Sequence, residues 1–185
     1  NNKNIVELHF RGDRLITTTD GQEIRYLSFL SSVGWLTLFE FSQKIIAVEW
    51  GQVTNATKTP LLKIAQTQLV EYLNQERKIF SIPLNPRGTH FQKSVWHEIQ
   101  EIPSGKIKTY GEIATKLNTS ARAVGGACGK NPIPIFIPCH RVMGTNGKLT
   151  GFSGGEGTLT KQALILLETP VKSTPQESEK QRGVK

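Results

Sequence analysis

The residues most able to do chemistry are Cys139 and His140, which are adjacent in the apolar stretch 137–142. A cysteine is a strong nucleophile only as its thiolate, and a nearby histidine can take the proton. Neighbouring side chains on an extended strand point to opposite faces, so His140 would need a turn or a bound water to reach Cys139. A carboxylate would orient the histidine, but spacing alone does not identify it. The competing interpretation is a buried structural thiol beside a satisfied histidine.

The number and spacing of cysteines and histidines argue against metal or disulfide chemistry. The two cysteines, Cys128 and Cys139, are too few for a disulfide framework or an all-cysteine zinc site. The histidines at positions 9, 90 and 97 lack ligand spacing, so we expect no metal and no cofactor. A free reactive thiol suits a reducing compartment, which predicts a cytoplasmic protein, or a nuclear one in a eukaryote.

Length and charge narrow the function classes further. A chain of 185 residues can form one domain, or a small and a medium one. No apolar run reaches the roughly 18 residues of a membrane helix, and the N-terminus lacks a signal-peptide layout. The net charge of +8 is concentrated in residues 86–150, where Lys and Arg outnumber Glu by nine to three. This region surrounds Cys139 and favours a nucleic-acid partner, whereas an even spread would indicate solubility alone.

The N-terminal half, residues 1–85, predicts a small α/β domain. Residues 1–27 hold either two strands around a turn at Gly12 or an extension without a role in the chemistry. Alternating aromatic and branched residues predict an antiparallel hairpin of strands 35–41 and 45–50. Pro60 opens a helical pattern with apolar residues at Leu61, Ile64, Ala65, Leu69, Tyr72 and Leu73.

The C-terminal half, residues 86–168, predicts a mainly helical domain. An amphipathic helix follows Thr89, and shorter helices at 110–117 and 121–128 flank a turn of capping residues. Helix, tight turn and helix in a basic setting is typical of helix-turn-helix DNA binding. Small residues dominate the second of these helices, so its backbone could approach either another helix or a DNA groove.

Structure-breaking sequences flank the Cys-His pair. Prolines at 132 and 134 forbid a helix and predict an extended, stiff chain over 131–138. A glycine-rich loop at 151–155 could cover a ligand or simply be flexible.

The fold class is therefore α+β: a small N-terminal antiparallel β-sheet domain with a helix, then a mainly α C-terminal domain containing a helix-turn-helix. The last helix is expected at 160–168, with Ala163, Leu164 and Leu167 buried. The polar tail, residues 169–185, is expected to be disordered.

Several short motifs occur at characteristic distances in the second half. They are TYGEIA at 109–114, ARAVGG at 121–126, NPIP at 131–134, PCHRV at 138–142, GFSGG at 151–155, and Glu168. With these motifs the chain resembles the O6-alkylguanine-DNA alkyltransferases, the methylated-DNA–protein-cysteine methyltransferases of direct repair. PCHRV resembles the active-site motif of that family. The resemblance covers residues 29–168 and is most specific in the C-terminal half.

The resemblance implies a single-use repair reaction. Cys139 would accept the O6-alkyl group of guanine and keep it as a thioether, so each molecule works once. His140 would act as base through a bound water, with Glu168 orienting it. Tyr110 would donate a hydrogen bond to guanine N3. The target nucleotide would be flipped out of the duplex to reach the thiol.

A substrate pocket is implied in the same way. The amide of Ser153 would bind O6, and the main-chain carbonyls of Cys139 and Val142 would hold the exocyclic amine. Pro134 and Phe152 would line the alkyl pocket.

The DNA-binding surface implied by the resemblance is the second helix of the helix-turn-helix, carrying Ala123 and Gly126, which would lie in the minor groove. Arg122 would fill the space that the flipped nucleotide leaves. Asn131 would tie the DNA-binding helices to the site. The expected partner is double-stranded DNA containing O6-alkylguanine, with no membrane; we expect a monomer and leave association along DNA open.

Two loops depart from the family pattern: the turn between Tyr110 and Arg122 is shorter than in many members, and the loop at 155–161 is longer. Residues 1–85 contain no cysteine, so neither a zinc site nor a second methyl acceptor is expected there. The alternatives are a non-catalytic alkyltransferase-like reader of alkylated DNA, whose known forms lack the cysteine, a plain helix-turn-helix module, and a cysteine hydrolase.

Overall fold

An antiparallel sheet and one helix form the N-terminal part of the computed structural model, which describes residues 24–54, 56–150, 152 and 154–169. The strands are β1 (Arg25–Ser31), β2 (Gly34–Phe41) and β3 (Lys44–Trp50), in that order across the sheet. The predicted hairpin is confirmed as β2 and β3. Its two turn residues, Ser42 and Gln43, have positive φ, which matches the twist of the flanking strands.

β1 begins at Arg25, so residues 25–27 belong to the sheet and not to an N-terminal extension. The strands considered around Gly12 lie outside the described residues.

Helix α1 (Pro60–Leu73) packs on β1 and β2. The hydroxyl of Thr59 caps it by accepting a hydrogen bond from the amide of Leu62 at 3.1 Å. Its inward face is the stripe through Leu62, Ala65 and Leu69. Ile64, one of the apolar residues of the helical pattern, is 51% exposed because it lies two residues after Leu62, on the opposite side of the helix.

Helix α2 (His90–Gln100) is followed by the predicted helix-turn-helix, which consists of α3 (Tyr110–Lys116) and α4 (Ala121–Cys128). Capping boxes at Thr89 and Thr109 start α2 and α3, which explains why sequence placed both helices well. α4 packs against both, and Nε1 of Trp96 donates to the carbonyl of Ala127 at 2.9 Å. No helix within the described ranges is long and apolar enough to cross a bilayer.

The segment 131–138 is a tight turn and not the extended chain that we expected. The amide of Ile137 donates to the carbonyl of Ile133 at 3.0 Å, and Ile135 has a φ of 72°. The prolines exclude a helix, as predicted, but they are compatible with a turn. The amide of Val48 in β3 donates to the carbonyl of Pro132 at 2.9 Å, so a hydrogen bond joins this turn to the sheet.

The remaining elements bring the two ends of the C-terminal half together. A 3-10 turn at Cys139–Arg141 leads into β5 (Val142–Met143), which pairs in parallel with β4 (Lys108–Thr109). The last helix, α5 (Thr158–Glu168), packs on the 3-10 turn. Leu164 is buried and Leu167 half-buried, but Ala163 is exposed because Lys161 occupies the inward position of that turn of the helix.

Candidate active site

Cys139 begins the 3-10 turn, and its side chain is buried. Its Sγ accepts a hydrogen bond from Nδ2 of Asn131 at 2.9 Å. The same nitrogen donates to the carbonyl of Ile137 at 2.9 Å, and Oδ1 of Asn131 accepts from the amide of Ile133 at 3.0 Å. Asn131 therefore fixes the sulfur to the turn at 131–138.

A cavity of about 330 Å³ lies beside the thiol. Its lining includes the alkyl-pocket residues expected from the sequence, Pro134 and Phe152, together with Trp50 and Cys128. Trp50 was missed; its ring meets that of Phe152 edge-on, with centroids 6.0 Å apart. Ser153, expected to bind O6, lies outside the described residues.

The glycine-rich loop is packed against Trp50. A Cβ added at Gly154 would lie 2.3 Å from the indole ring, and one at Gly155 would lie 2.5 Å from the hydroxyl of Thr160. Close packing therefore requires glycine at 154, and Gly155 also has a φ of 53°.

The thiol of Cys139 is protonated in the resting protein. Burial raises its pKa well above the ordinary value, and the neighbouring Cys128 thiol raises it further. The hydrogen bond from Asn131 and the charge of Lys161 act in the opposite direction, since both favour the thiolate. Before it can act as a nucleophile, the thiol must therefore lose its proton to a base.

Glu168, the last residue of α5, holds the ring of His140. Nε2 of His140 lies 2.9 Å from Oε1 of Glu168. The guanidinium of Arg141 donates hydrogen bonds to the same carboxylate, from Nη2 to Oε1 at 2.7 Å and from Nε to Oε2 at 2.9 Å. The amide of Gly105 donates to Oε2 at 3.0 Å. Arg141 was not predicted as a site residue, although its place beside His140 in PCHRV was the signal for it.

These contacts define the proton positions. Burial alone raises the pKa of Glu168, but hydrogen bonds from His140 and Arg141 outweigh it and hold the pKa well below the usual range. Burial lowers the pKa of His140 despite the opposing effect of Glu168. We therefore assign a neutral ring whose Nε2–H donates to Glu168.

Nδ1 of His140 is buried and has no hydrogen-bond partner in the part of the chain that the structure describes. Because Nε2 is committed to Glu168, Nδ1 is the ring atom whose lone pair is free to accept a proton.

Lys161 is a buried cation that the sequence analysis missed. Its Nζ donates to the carbonyls of Val142 at 2.6 Å and Thr150 at 2.7 Å, and to the hydroxyl of Tyr110 at 3.3 Å. Lys161 lies one turn before Leu164 and two turns before Glu168, on the inward face of α5. A lysine on the buried face of a helix is unusual, and this could have marked it as a site residue from sequence.

Tyr110 follows β4 directly, and the pairing of β4 with β5 brings it beside Val142. Its hydroxyl donates to the carbonyl of Thr150 at 2.8 Å. Burial raises the pKa of Tyr110 to about 12, so the side chain stays a proton donor at neutral pH.

The residues expected to contact DNA on α4 do not line the cavity beside the thiol. Arg122 and Gly126 are exposed, and Ala123 is half-buried. A Cβ added at Gly125 or Gly126 would meet no atom within 4 Å in the described structure. Packing inside the protein therefore does not require these glycines, which favours an external surface over a helix partner. Across the same ranges, no three His, Cys, Asp or Glu residues gather as metal ligands.

Two family descriptions match this chain. Residues 24–86 match the ribonuclease-like domain of 6-O-methylguanine DNA methyltransferase, and residues 90–170 match its DNA binding domain.

Curated relatives agree. The constitutive methylated-DNA–protein-cysteine methyltransferase of Bacillus subtilis is 43% identical over 65% of this chain and 76% of its own length. The methylated-DNA–protein-cysteine methyltransferase of Haemophilus influenzae is 38% identical over 84% of this chain and 80% of its own length.

Solved structures have the same fold. The O6-methylguanine methyltransferase of Mycobacterium tuberculosis is 39% identical, with a TM-score of 0.70, over 78% of this chain and 92% of that one. A complex of the Mycobacterium tuberculosis protein with DNA is 41% identical, with a TM-score of 0.69, over 77% of this chain and 91% of that one. This chain belongs to the methylated-DNA–protein-cysteine methyltransferase family.

Proposed function

We propose that this protein repairs DNA by direct reversal, moving the O6-alkyl group of guanine irreversibly to Cys139. The observation that carries the proposal is a buried thiol at the wall of a cavity, with a neutral histidine beside it in sequence and a carboxylate holding that histidine. The family relationship gives this arrangement its substrate class. A non-reacting reader is not favoured, because the thiol is present and lies at the cavity.

The chemical step moves one proton and replaces the carbon–O6 bond with a carbon–sulfur bond. The thiol proton passes to Nδ1 of His140 through a water, and Sγ of Cys139 attacks the alkyl carbon. The carbon–O6 bond breaks, and guanine leaves with the electron pair. The hydroxyl of Tyr110 donates to Thr150 in the free protein; turned to guanine N3 in the complex, it eases that departure. Asn131 and Lys161 stabilise the thiolate as it forms. The thioether is not hydrolysed, so one chain repairs one base.

Duplex DNA containing O6-alkylguanine is the proposed partner, bound through α4 in the minor groove. The excess of basic residues in 86–150 supplies attraction to phosphates. Extruding the nucleotide costs a few kcal/mol, which contacts in the pocket and with the backbone offset. We propose a domain division after residue 85, a monomer in solution, and a cytoplasmic or nuclear location.

Intact-mass measurement tests the function directly. After incubation with a duplex containing O6-methylguanine, we expect one methyl group per chain, on the peptide that holds Cys139. A matched duplex with unmodified guanine should leave the mass unchanged. Tight binding of the methylated duplex with no gain in mass would instead identify a reader of damage.

Arg122→Ala is expected to slow repair of duplex DNA by roughly 10-fold or more, because an extruded base is no longer replaced in the stack. Reaction with free O6-benzylguanine should keep its rate, since Arg122 lies on exposed α4 and not at the cavity. The comparison is single-turnover kinetics on both substrates.

Lys93→Ala is the matched control for Arg122→Ala, because it removes one exposed positive charge from α2. It should weaken duplex repair far less. Equal losses for Arg122→Ala on the duplex and on the free base would contradict a role in flipping.

A further inference from the structure

Tyr72 reaches the proposed proton acceptor from the N-terminal half. It lies on α1, and only 2% of it is exposed. Its hydroxyl donates to Oε1 of Glu168 at 2.7 Å and lies 3.2 Å from Nε2 of His140. By its spacing in the sequence, Tyr72 is only one of the apolar residues of the helix. Its hydroxyl instead touches both members of the histidine–carboxylate pair.

Aromatic packing holds the hydroxyl of Tyr72 in position. Its ring lies 5.3 Å from that of Phe80, and Phe80 in turn packs edge-on against Phe136 at 4.6 Å. Phe136 belongs to the turn at 131–138, three residues before Cys139. One aromatic row therefore connects α1 with the turn that precedes Cys139, so packing on its ring fixes where the hydroxyl of Tyr72 lies.

Four groups from three elements face His140. They are Tyr72 on α1, Glu168 and Lys161 on α5, and Arg141 in the same 3-10 turn. Glu168 favours the charged ring, whereas Arg141 and Lys161 disfavour it. Tyr72 affects the charge state of His140 through Glu168, because it donates a hydrogen bond to Oε1, the same oxygen that His140 contacts. Burial, with the charge of Glu168 next, raises the pKa of Tyr72, so it remains a donor.

We propose that Tyr72 is a positioning residue for alkyl transfer, holding Glu168 and His140 so that Nδ1 of the ring is presented to the thiol. The inference rests on the proposed function. It assigns to the N-terminal half an indirect part in the proton transfer, through Glu168 and His140, beyond support of the fold.

Two effects follow from removing the hydroxyl. The carboxylate of Glu168 loses one of its donors, so His140 is held in its productive orientation for less of the time. The charge of Glu168, no longer shared with the hydroxyl of Tyr72, then acts more strongly on His140 and raises the pKa of the imidazole. Since only the neutral ring accepts the thiol proton, the acidic limb of the pH–rate profile must move to higher pH.

Tyr72→Phe tests the proposal, with Tyr26→Phe as the matched control. Tyr26 is also in the N-terminal half, and its hydroxyl donates to the carbonyl of Thr54 away from the cavity. Single-turnover transfer from a duplex containing O6-methylguanine is followed by intact mass from acid to neutral pH. We expect Tyr72→Phe to be about 10-fold slower, with its acidic midpoint raised by about half a pH unit or more, and Tyr26→Phe to match the unsubstituted protein.

Each other outcome overturns the inference. An unchanged rate and profile for Tyr72→Phe would remove Tyr72 from the proton transfer. A uniform loss at every pH with an unmoved midpoint, accompanied by a lower Tm, would leave it a purely structural residue. Absence of transfer by the unsubstituted protein would refute the proposed function itself, and that result is independent of the variant.

Discussion

Cys139→Ser is expected to abolish alkyl transfer and to leave binding of duplex DNA almost unchanged. A hydroxyl is far less acidic than a thiol, so the neutral ring of His140 cannot remove the serine proton to form an alkoxide nucleophile. The substitution is nearly isosteric, and Nδ2 of Asn131 can still donate to the new oxygen. The proposed DNA surface on α4 is untouched. Intact mass and a binding isotherm on the methylated duplex measure the two halves of this prediction.

Cys128→Ser is the informative partner variant. Cys128 is the one other thiol of the chain, and it lines the same cavity. It should still yield methylated protein, with the added group on the peptide that contains Cys139. Methylation of Cys128 in the Cys139→Ser protein would move the acceptor to the end of α4 and contradict the mechanism proposed above.

Local signals explain the parts of the fold that could be predicted from sequence. Thr89 and Thr109 begin helices through capping boxes, and the strands β2 and β3 carry dense branched and aromatic residues. Both kinds of signal act over a few residues, so they can be read without knowledge of the tertiary structure.

The turn at 131–138 shows where such reading fails. Prolines exclude a helix but do not choose between an extended chain and a turn. The choice depends on the side chain of Asn131 and on a hydrogen bond from Val48, which is more than 80 residues away in sequence. Because distant contacts decide the backbone here, sequence pattern alone could not predict it.

The residues of the candidate site also fall into those that sequence could predict and those that depend on distant contacts. Cys139 and His140 were found from residue chemistry, and Glu168 only from the family resemblance. Tyr72 and Lys161 were missed because their polar ends meet groups far along the chain: Tyr72 contacts His140 and Glu168, and Lys161 contacts Val142. A tyrosine on an apolar helical stripe looks like core, and its hydroxyl becomes informative only once its partners are known.

Glu168→Gln is expected to damage both stability and transfer. The carboxylate is buried, with 3% of its side chain exposed, and Arg141 donates three hydrogen bonds to it from an almost equally buried position. Neutralising it leaves the buried guanidinium uncompensated, which costs about 3–5 kcal/mol. For a chain of this size, the loss corresponds to a Tm lower by roughly 6–20 °C. Transfer should slow by about 100-fold, because the ring of His140 loses its orienting anion.

Glu71→Gln is the control for Glu168→Gln. It breaks the ion pair between Glu71 and Arg77, whose side chains are 34% and 29% exposed. Such a pair contributes little, so the Tm should fall by no more than about 2–4 °C. If the two variants lost equal stability, the buried network around Glu168 would have no special role.

Lowering the pH distinguishes the contribution of the charge of Glu168 to stability from the contribution of its packing. Hydrogen bonds from His140 and Arg141 depress the folded-state pKa of Glu168, whereas an unfolded glutamate titrates near pH ~4.3. The stability that the charge contributes is therefore fully present above that pH and is lost as the pH falls towards the folded-state pKa. The Tm difference between the unsubstituted protein and Glu168→Gln should narrow steadily below pH ~4. A difference that stays constant with pH would mean that the carboxylate stabilises the fold by shape and not by charge.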